Sequence, residues 1–215
     1  MTVKACIFDL DGVIVDTAKY HYLAWKRLAN ELGFEFKPED NERLKGVSRM
    51  QSLEILLSVG NIKIEDEKEK ERLAEKKNNW YIEYIDNMTQ EEILPGVMDF
   101  LNLLKQNGIK IAIGSASKNT LRILDRIALA NFFDVVIDGN KISKAKPDPE
   151  IFLKAAEELN VPPYECCVFE DAVAGIQAAK KAGMKVIGVG DQSILKDADK
   201  VIQTFKGKGL ELIEF

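Results

Sequence analysis

Five short apolar runs recur along the chain, and helical patterns alternate with them over its second half. The runs lie at residues 3–12, 109–117, 132–139, 165–172 and 184–190. Each is rich in β-branched or other apolar residues and bounded by polar residues or glycine, which is typical of a buried strand. Helical patterns occupy residues 96–108, 118–132, 148–160 and 171–183. This alternation predicts an α/β fold with a Rossmann-like, doubly wound parallel sheet.

Residues 16–91 interrupt the alternation directly after the first strand. They contain helical patterns at 18–33, 49–60 and 64–88 and no convincing strand. One helical stripe of the first pattern consists of His21, Ala24, Trp25, Leu28 and Leu32. We therefore predict an α/β core of residues 1–15 and 92–215 and an inserted helical cap domain of residues 16–91. Linkers near residues 14–18 and 88–95 would join the two.

Composition narrows the possible partners and surroundings. The chain has 215 residues, of which 46% are hydrophobic, so it can bury a full core. Its formal net charge of -5 disfavours nucleic acid as a partner. No stretch approaches the roughly 20 apolar residues of a membrane helix, and the N-terminus does not resemble a signal peptide, so we expect a cytoplasmic protein with no membrane partner. We also expect a monomer whose three cysteines are reduced thiols in or near the core.

Polar residues follow the predicted strands at one edge of the sheet. Asp9 and Asp11 follow the first apolar stretch, Ser115 follows the second, and Glu170 with Asp171 follows the fourth. Ligands of open parallel sheets bind outside the carboxyl ends of the strands. Each residue alone could simply cap a helix or form a turn. Several of them on one edge favour a ligand site.

The residue types at this edge favour phosphoryl transfer. Asp9 and Asp11 are two residues apart, so they can face one site, where a cation or a proton would relieve their repulsion. Carboxylate oxygens suit Mg²⁺, which we predict as the cofactor. The predicted metal residues are Asp9, Asp11, Glu170 and Asp171. The Ser115 hydroxyl and the ammonium of Lys146, in the loop after the third run, can hold a phosphate. One aspartate could act as the nucleophile and the other as the general acid and base.

These motifs together resemble the haloacid dehalogenase superfamily of phosphotransferases. The resemblance rests on "DLDGVIVDT" at residues 9–17, Ser115, Lys146 with "KPDPEIF", and "EDAVAGI", spread in order over nearly the whole chain. It implies that Asp9 is the nucleophile, which forms an aspartyl phosphate, and that Asp11 is the acid and base. It also implies Mg²⁺ bound by the Asp9 side chain, the Asp11 backbone carbonyl and Asp171, with Glu170 close by.

Four further segments resemble the sugar-phosphate mutases of that superfamily: "DTAKYHYLAW", "LKGVSRMQSL", "KKNNWY" and "SASKN". This resemblance implies that His21 assists Asp11 and that Arg49 holds the phosphate that is not transferred. The other implied substrate contacts are Thr17, Trp25, Gly46, Val47, Ser48, Ser52, Lys77, Ser117, Lys118 and Asn119. The implied reaction interconverts β-glucose 1-phosphate and glucose 6-phosphate. Its partners would be the small sugar phosphate and a glucose 1,6-bisphosphate intermediate.

Alternatives remain open at this point. A Mg²⁺-dependent sugar-phosphate phosphatase would share every core residue and release inorganic phosphate. A phospho-acceptor signalling domain also uses strand-end aspartates, a hydroxyl and a lysine, but it needs no helical insert over its site. His21 could instead be a buried histidine of its helix stripe, and Arg49 a surface charge at the start of a helix.

Overall fold

The sheet has six parallel strands in the order β3-β2-β1-β4-β5-β6. The computed structural model describes residues 2–44 and 46–215 of the chain. The strands are β1 Ala5–Phe8, β2 Lys110–Gly114, β3 Val135–Ile137, β4 Cys166–Glu170, β5 Lys185–Val189 and β6 Lys200–Ile202. The prediction of a doubly wound parallel sheet is confirmed. Strand β6 was not predicted, because its two apolar residues stand between polar neighbours and do not form an apolar run.

Eight α-helices accompany the sheet in the described part of the chain. They are α1 Ala18–Glu31, α2 Pro38–Asn41, α3 Arg49–Val59, α4 Glu67–Ile85, α5 Val97–Gln106, α6 Thr120–Arg126, α7 Glu150–Leu159 and α8 Val173–Lys181. All except the four-residue α2 were predicted. Helix α6 is shorter than its sequence pattern, because Ala128 takes a left-handed backbone conformation with φ of 57°.

Apolar side chains cover both faces of the sheet. On one face Phe8 of β1 stacks on Phe169 of β4, with ring centroids 4.6 Å apart, and Phe100 of α5 packs on both. Ile7 and Phe152 of α7 belong to the cluster on the other face. The central strands are therefore apolar at successive positions, as parallel strands buried on both sides usually are.

Helices α1 to α4 lie in the segment that we call the helical insert (residues 16–91), and the remainder is the sheet core (residues 2–15 and 92–215). The two connections between them run side by side: Val15 bridges to Ile93, and the Leu94 amide donates to the Ile14 carbonyl at 2.9 Å. One apolar cluster extends from the sheet core into the insert. The division into two domains at residues 15/16 and 91/92 stays a prediction.

Two smaller expectations concern the cysteines and the membrane. Cys6, Cys166 and Cys167 are all buried free thiols, which confirms the predicted core position. None of the helices in the described ranges combines the length and apolarity needed to span a membrane.

Candidate active site

The sheet has its topological switch point between β1 and β4, the two central strands, and a cavity of about 980 Å³ opens at their carboxyl ends. Asp9 directly follows β1, and Ser115 directly follows β2. Both line the cavity on its sheet side, and residues of the helical insert line it from above. The predicted convergence of strand-end residues is therefore present in the structure.

A buried ammonium group lies against the Asp9 carboxylate. Lys146 has no exposed surface, and its Nζ donates to Asp9 Oδ1 at 2.5 Å, to Glu170 Oε1 at 2.5 Å and to the Gly114 carbonyl at 3.0 Å. Burial opposes the charged form of Lys146, but the two carboxylates outweigh it and raise its pKa above the ordinary value. Lys146 therefore orients one Asp9 oxygen and leaves the other available to the cavity.

Glu170, which the sequence placed among the metal residues, is buried beside Lys146. Its Oε1 accepts from Lys146 and its Oε2 accepts from the Ala172 amide at 3.1 Å. Gly175 of α8 makes room for this carboxylate, because a Cβ there would lie 1.9 Å from it. Glu170 is fully buried and takes no part in the cavity lining. These contacts make Glu170 the partner of Lys146, and its predicted place among the metal residues stays a prediction.

The Asp11 carboxyl is suited to exchanging protons near neutral pH. The Thr17 hydroxyl donates to Asp11 Oδ1. Burial, and after it the negative charge of Asp9, raises the pKa of Asp11 to about 7, against the opposing charges of Lys146 and Lys77. A carboxyl group with such a pKa can both give and take a proton, so Asp11 fits the acid and base of the sequence prediction.

A second buried ammonium group lies in the insert, next to the single histidine of the chain. Lys77 is 2% exposed, and its Nζ lies 2.8 Å from His21 Nδ1 and 4.5 Å from the centre of the Trp25 ring. The His21 ring stacks on Tyr81, with centroids 4.0 Å apart. Burial, and then the charge of Arg49, lowers the pKa of Lys77 well below its ordinary range.

The protonation of His21 follows from this contact. Burial and the nearby Lys77 lower the pKa of His21 well below its ordinary value. The imidazole is therefore neutral at pH 7, and its Nδ1 can accept a hydrogen bond from Lys77. Among the described residues no hydrogen bond joins His21 to Asp11, so the assistance of Asp11 by His21 stays a prediction. The stacking partner Tyr81 was not predicted, because stacking across two helices leaves no local pattern.

Arg49 reaches the cavity from the first residue of α3, where the helix start is well fixed. Ser48 Oγ accepts from the Gln51 amide at 3.3 Å, and Gln51 Oε1 accepts from the Ser48 amide at 3.0 Å, which forms a capping box. The preceding Gly46 has φ of 70°, and a Cβ there would lie 2.8 Å from the Cβ of Ala172. The insert therefore closely approaches the sheet core at this loop.

On the core side, a turn after β2 presents hydroxyl and amide groups to the cavity. Ser115 Oγ accepts from the Ser117 amide, and Ser117 Oγ accepts from the Asn119 amide, each at 3.2 Å. Asn119 Nδ2 also donates to Asn78 Oδ1 of α4 at 2.8 Å and so bridges the sheet core and the insert. Asn78 was not predicted as a site residue, although it directly follows Lys77 in the quoted segment "KKNNWY".

The cavity gathers most of the residues that the sequence selected. All of them contribute to its lining except Thr17, Lys146 and Glu170, which are buried behind it. The lining also includes residues that sequence reasoning did not select. Among these are Asn41, Gln51, Glu71, Glu75, Asn78, Ser143 and Lys144.

The oxygen groups near Asp9 fit a hard cation such as Mg²⁺. Asp9 and Asp171 both line the cavity. Gly12 has φ of 79°, and a Cβ there would lie 2.2 Å from Asp171 Oδ2, so only glycine leaves space for that carboxylate. Among the described residues no three His, Cys, Asp or Glu side chains form a metal-binding group. Two carboxylates with a backbone carbonyl and waters are a donor set that Mg²⁺ accepts.

Comparison with known proteins assigns the family. Residues 3–183 match the haloacid dehalogenase-like hydrolase family. The chain belongs to this family. The resemblance predicted from the sequence is thus confirmed, and phosphatases and mutases of the haloacid dehalogenase family generally use Mg²⁺.

Within the haloacid dehalogenase-like family, the chain is similar to mutases and to a phosphatase. It is 45% identical over 212 residues to β-phosphoglucomutase of Bacillus subtilis strain 168, which covers 98% of this chain and 94% of that protein. The crystal structure of β-phosphoglucomutase from Clostridium difficile has a TM-score of 0.94 at 46% identity, covering 99% of this chain and 96% of that one. A phosphorylated carbohydrates phosphatase of Thermotoga maritima is 35% identical, with coverage of 86% and 84%. These similarities confirm the prediction of an enzyme of the β-phosphoglucomutase kind.

Proposed function

We propose that this protein is a phosphomutase that interconverts β-glucose 1-phosphate and glucose 6-phosphate through an aspartyl phosphate on Asp9 and a glucose 1,6-bisphosphate intermediate. The observation that carries the proposal is the shared cavity. The sheet core contributes Asp9 and Asp11 to it, and the helical insert contributes Arg49 and Lys77. A bisphosphate has two anionic ends, which suits a cavity lined by Arg49 and Lys77 on the insert side and by Lys118 and Lys144 on the sheet-core side. The similarity to β-phosphoglucomutases over nearly the whole chain supports the same reaction.

The sheet core supplies the transfer itself. Asp9 attacks phosphorus with the oxygen that Lys146 leaves available, so the Asp9–phosphorus bond forms while the phosphorus–sugar oxygen bond breaks. Asp11 gives its proton to the departing sugar oxygen and takes a proton from the sugar hydroxyl that attacks in the return step. The Thr17 hydroxyl holds the Asp11 carboxyl in place for both steps.

The helical insert keeps the sugar phosphate bound between the two transfer steps. Arg49 offers a planar fork for the phosphate that is not being transferred, and a lysine would not reproduce its two parallel hydrogen bonds. The bisphosphate must exchange its two ends before the second transfer, and water must stay away from the aspartyl phosphate meanwhile. We propose that residues 16–91 form a cap domain that opens and closes for this purpose, with hinges at the two connections to the sheet core.

Mg²⁺ is the proposed cofactor. The Asp9 and Asp171 carboxylates and the Asp11 backbone carbonyl would hold it, with Glu170 close by. When bound, it neutralises charge on the phosphoryl group.

A sugar-phosphate phosphatase is the second candidate. The 35% identity to the Thermotoga maritima phosphatase favours it, and both reactions would use Asp9, Asp11 and Lys146 in the same way. The candidates differ in the acceptor of the phosphoryl group, which is a sugar hydroxyl in one case and water in the other.

One assay separates the two candidates. The enzyme is given β-glucose 1-phosphate, Mg²⁺ and a catalytic amount of glucose 1,6-bisphosphate, and glucose 6-phosphate and free phosphate are followed together. We expect glucose 6-phosphate as the main product. Stoichiometric release of phosphate from this and other sugar phosphates would instead identify a phosphatase. The Asp9→Asn protein controls for contaminating activities.

A further inference from the structure

The loop that carries Lys146 has no regular secondary structure, although its lysine must be placed accurately against Asp9. It connects β3 to α7 over residues 138–149. Its first part is fixed by Asp138, whose Oδ1 accepts from the Asn140 amide at 2.9 Å. Its last part turns at Asp148, whose Oδ1 accepts from the Glu150 amide at 3.0 Å. The stretch between them, residues 143–146, ends at Lys146, whose ammonium group is buried.

One carboxylate, that of Glu150 in the first turn of α7, binds this middle stretch. Both of its oxygens accept from the Ser143 amide at 3.1 Å. Its Oε2 also accepts from the Ser143 hydroxyl at 2.8 Å and from the Lys144 amide at 2.7 Å. Lys154, one turn further along α7, lies 2.9 Å from Oε1. Glu150 therefore binds two successive backbone amides two residues before Lys146.

We propose that Glu150 is a positioning residue for phosphoryl transfer and acts through Lys146. It holds the 143–146 backbone on the rigid end of α7, and this fixes where the Lys146 ammonium meets Asp9. The inference rests on the proposed function insofar as Asp9 and Lys146 are the reacting groups, but it holds for a mutase and a phosphatase alike. A displacement of a reacting group by about 1 Å can cost on the order of 100-fold in rate, so a loop anchor of this kind has a measurable effect.

The electrostatics of Glu150 agree with this role. Lys154, and after it the donors of Ser143 and Lys144, lower its pKa to about 2. The carboxylate is therefore ionised at every pH at which the enzyme would be assayed, and hydrogen bonds to an ionised acceptor are stronger than neutral ones. The competing explanation is that Glu150 only favours the start of α7 through the helix dipole. That explanation predicts a change in stability and no change in turnover.

The test uses hydrolysis of acetyl phosphate by the full chain with Mg²⁺, because this donor reports on Asp9 and Lys146 without a sugar. We expect Glu150→Gln to lower kcat by about 10- to 100-fold, with KM for acetyl phosphate within about threefold of wild type. Glu150→Asp keeps the charge, and we expect it to recover a substantial part of the loss. Amide hydrogen exchange at Ser143 and Lys144 should be faster in Glu150→Gln than in wild type.

The matched control is Glu158→Gln, on the same helix. The Glu158 carboxylate contacts the side chain of Lys141 in the same loop at 3.5 Å, is largely exposed, and binds no backbone amide of the loop. We expect it to leave kcat unchanged. If Glu150→Gln does not fold, Ser143→Ala removes one donor to the carboxylate, and we expect it to lower kcat by about threefold at constant KM.

The proposal is overturned if Glu150→Gln exchanges its loop amides faster but keeps the wild-type kcat. It is also overturned if Glu150→Asp recovers nothing, or if Ser143→Ala keeps full kcat where it is the variant used. Failure of the mutase assignment would give a different result. Wild type would release phosphate from β-glucose 1-phosphate, but the kcat of each variant relative to wild type in acetyl phosphate hydrolysis would be as predicted here.

Discussion

Arg122 of the sheet core holds Asp86 of the helical insert through two parallel hydrogen bonds. Its Nε donates to Asp86 Oδ1 and its NH2 to Oδ2, both at 2.7 Å, and Arg126 adds a contact of 3.3 Å. Asp86 directly follows α4, and all three side chains are partly exposed. This ion pair joins the two parts of the molecule on the outside, as Asn78 and Asn119 do inside the cavity.

The first prediction is that the Arg122–Asp86 pair favours the arrangement of insert and sheet core in which these two side chains meet. Exposed ion pairs contribute about 0.2–1 kcal/mol and are screened by salt. We therefore expect Arg122→Ala to lower kcat/KM for the sugar phosphate by about fivefold or less at low ionic strength, with the ratio to wild type approaching one in about 0.5 M salt. Arg72→Ala is the control, because Arg72 forms the same fork with Glu69 within α4. An equal salt response of both variants would contradict the prediction.

The second prediction is that the buried Lys77 lowers the free energy of unfolding of the protein. Its ammonium is 2% exposed and lies against a neutral imidazole and two aromatic rings. We expect Lys77→Met to raise the free energy of unfolding by about 1–4 kcal/mol and to lower mutase activity, because groups that serve function often reduce stability. Urea unfolding without Mg²⁺ measures the first effect. Lys76→Met, at a half-exposed neighbour bonded to Glu31, should change little.

The stability difference between Lys77→Met and wild type should also depend on pH. The pKa of Lys77 is lowered on folding from its ordinary 10.5. The unfolded chain then binds more protons than the folded protein between the two pKa values, so wild-type stability rises with pH there. The advantage of Lys77→Met should shrink as the pH rises toward 10.5. A gap that stays constant over this range would mean that the Lys77 pKa is not lowered.

The third prediction is that activity requires Mg²⁺. Excess chelator should abolish turnover, and added Mg²⁺ should restore it, because the donors at the site are carboxylate and carbonyl oxygens. Zn²⁺ alone should not restore it, since Zn²⁺ prefers nitrogen and sulfur ligands. Full activity after exhaustive chelation would count against the proposed oxygen site. Asp171→Ala should raise the Mg²⁺ concentration needed for half-maximal activity without unfolding the protein.

The fourth prediction is that Asp9→Asn leaves no detectable turnover. An amide cannot form the acyl phosphate, so neither the sugar phosphate nor acetyl phosphate should phosphorylate the variant. Mass spectrometry of acid-quenched protein measures the phosphoryl adduct directly. Asp16→Asn is the control, because Asp16 belongs to the same segment but is exposed. Substantial turnover by a folded Asp9→Asn protein would rule out the covalent route.

The sequence predicted the elements that have a strong local pattern. Apolar runs gave β1 to β5, and helical periodicity gave every helix except α2. Strand β6 has only two adjacent apolar residues and α2 has none, so neither segment shows a hydrophobic pattern. The strand-end residues Asp9, Ser115 and Asp171 were predicted because parallel strands present their carboxyl ends at one edge.

Pairings between distant residues were harder to predict. The contact of Glu170 with Lys146 joins residues 24 positions apart, and the sequence did not predict it. The contacts of Tyr81 with His21 and of Asp86 with Arg122 join residues 36 to 60 positions apart. Contacts between such distant residues leave no local sequence pattern, so they can be identified only from the packed structure.

The last prediction separates retention of the sugar from transfer of the phosphoryl group. In the proposed reaction Arg49 holds the distal phosphate, and acetyl phosphate has no distal phosphate to hold. Arg49→Ala should therefore lower formation of glucose 6-phosphate from β-glucose 1-phosphate by about 10- to 100-fold, as expected for charged hydrogen bonds of about 1.5–3 kcal/mol. Hydrolysis of acetyl phosphate should stay within about threefold of wild type. Arg49→Lys keeps the charge without the fork and should fall between the two.

Two further variants make this prediction specific to the cavity. Arg43→Ala removes an exposed arginine of the insert and should change neither reaction. His21→Ala removes the neutral partner of Lys77, and we expect a loss of about 10²- to 10⁴-fold in the mutase reaction if His21 assists Asp11 in proton transfer. A loss of that size in acetyl phosphate hydrolysis as well would place His21 in the transfer step common to both reactions. If Arg49→Ala and His21→Ala leave the ratio of glucose 6-phosphate to free phosphate unchanged, the insert does not govern the choice of acceptor, and the phosphatase is the better assignment.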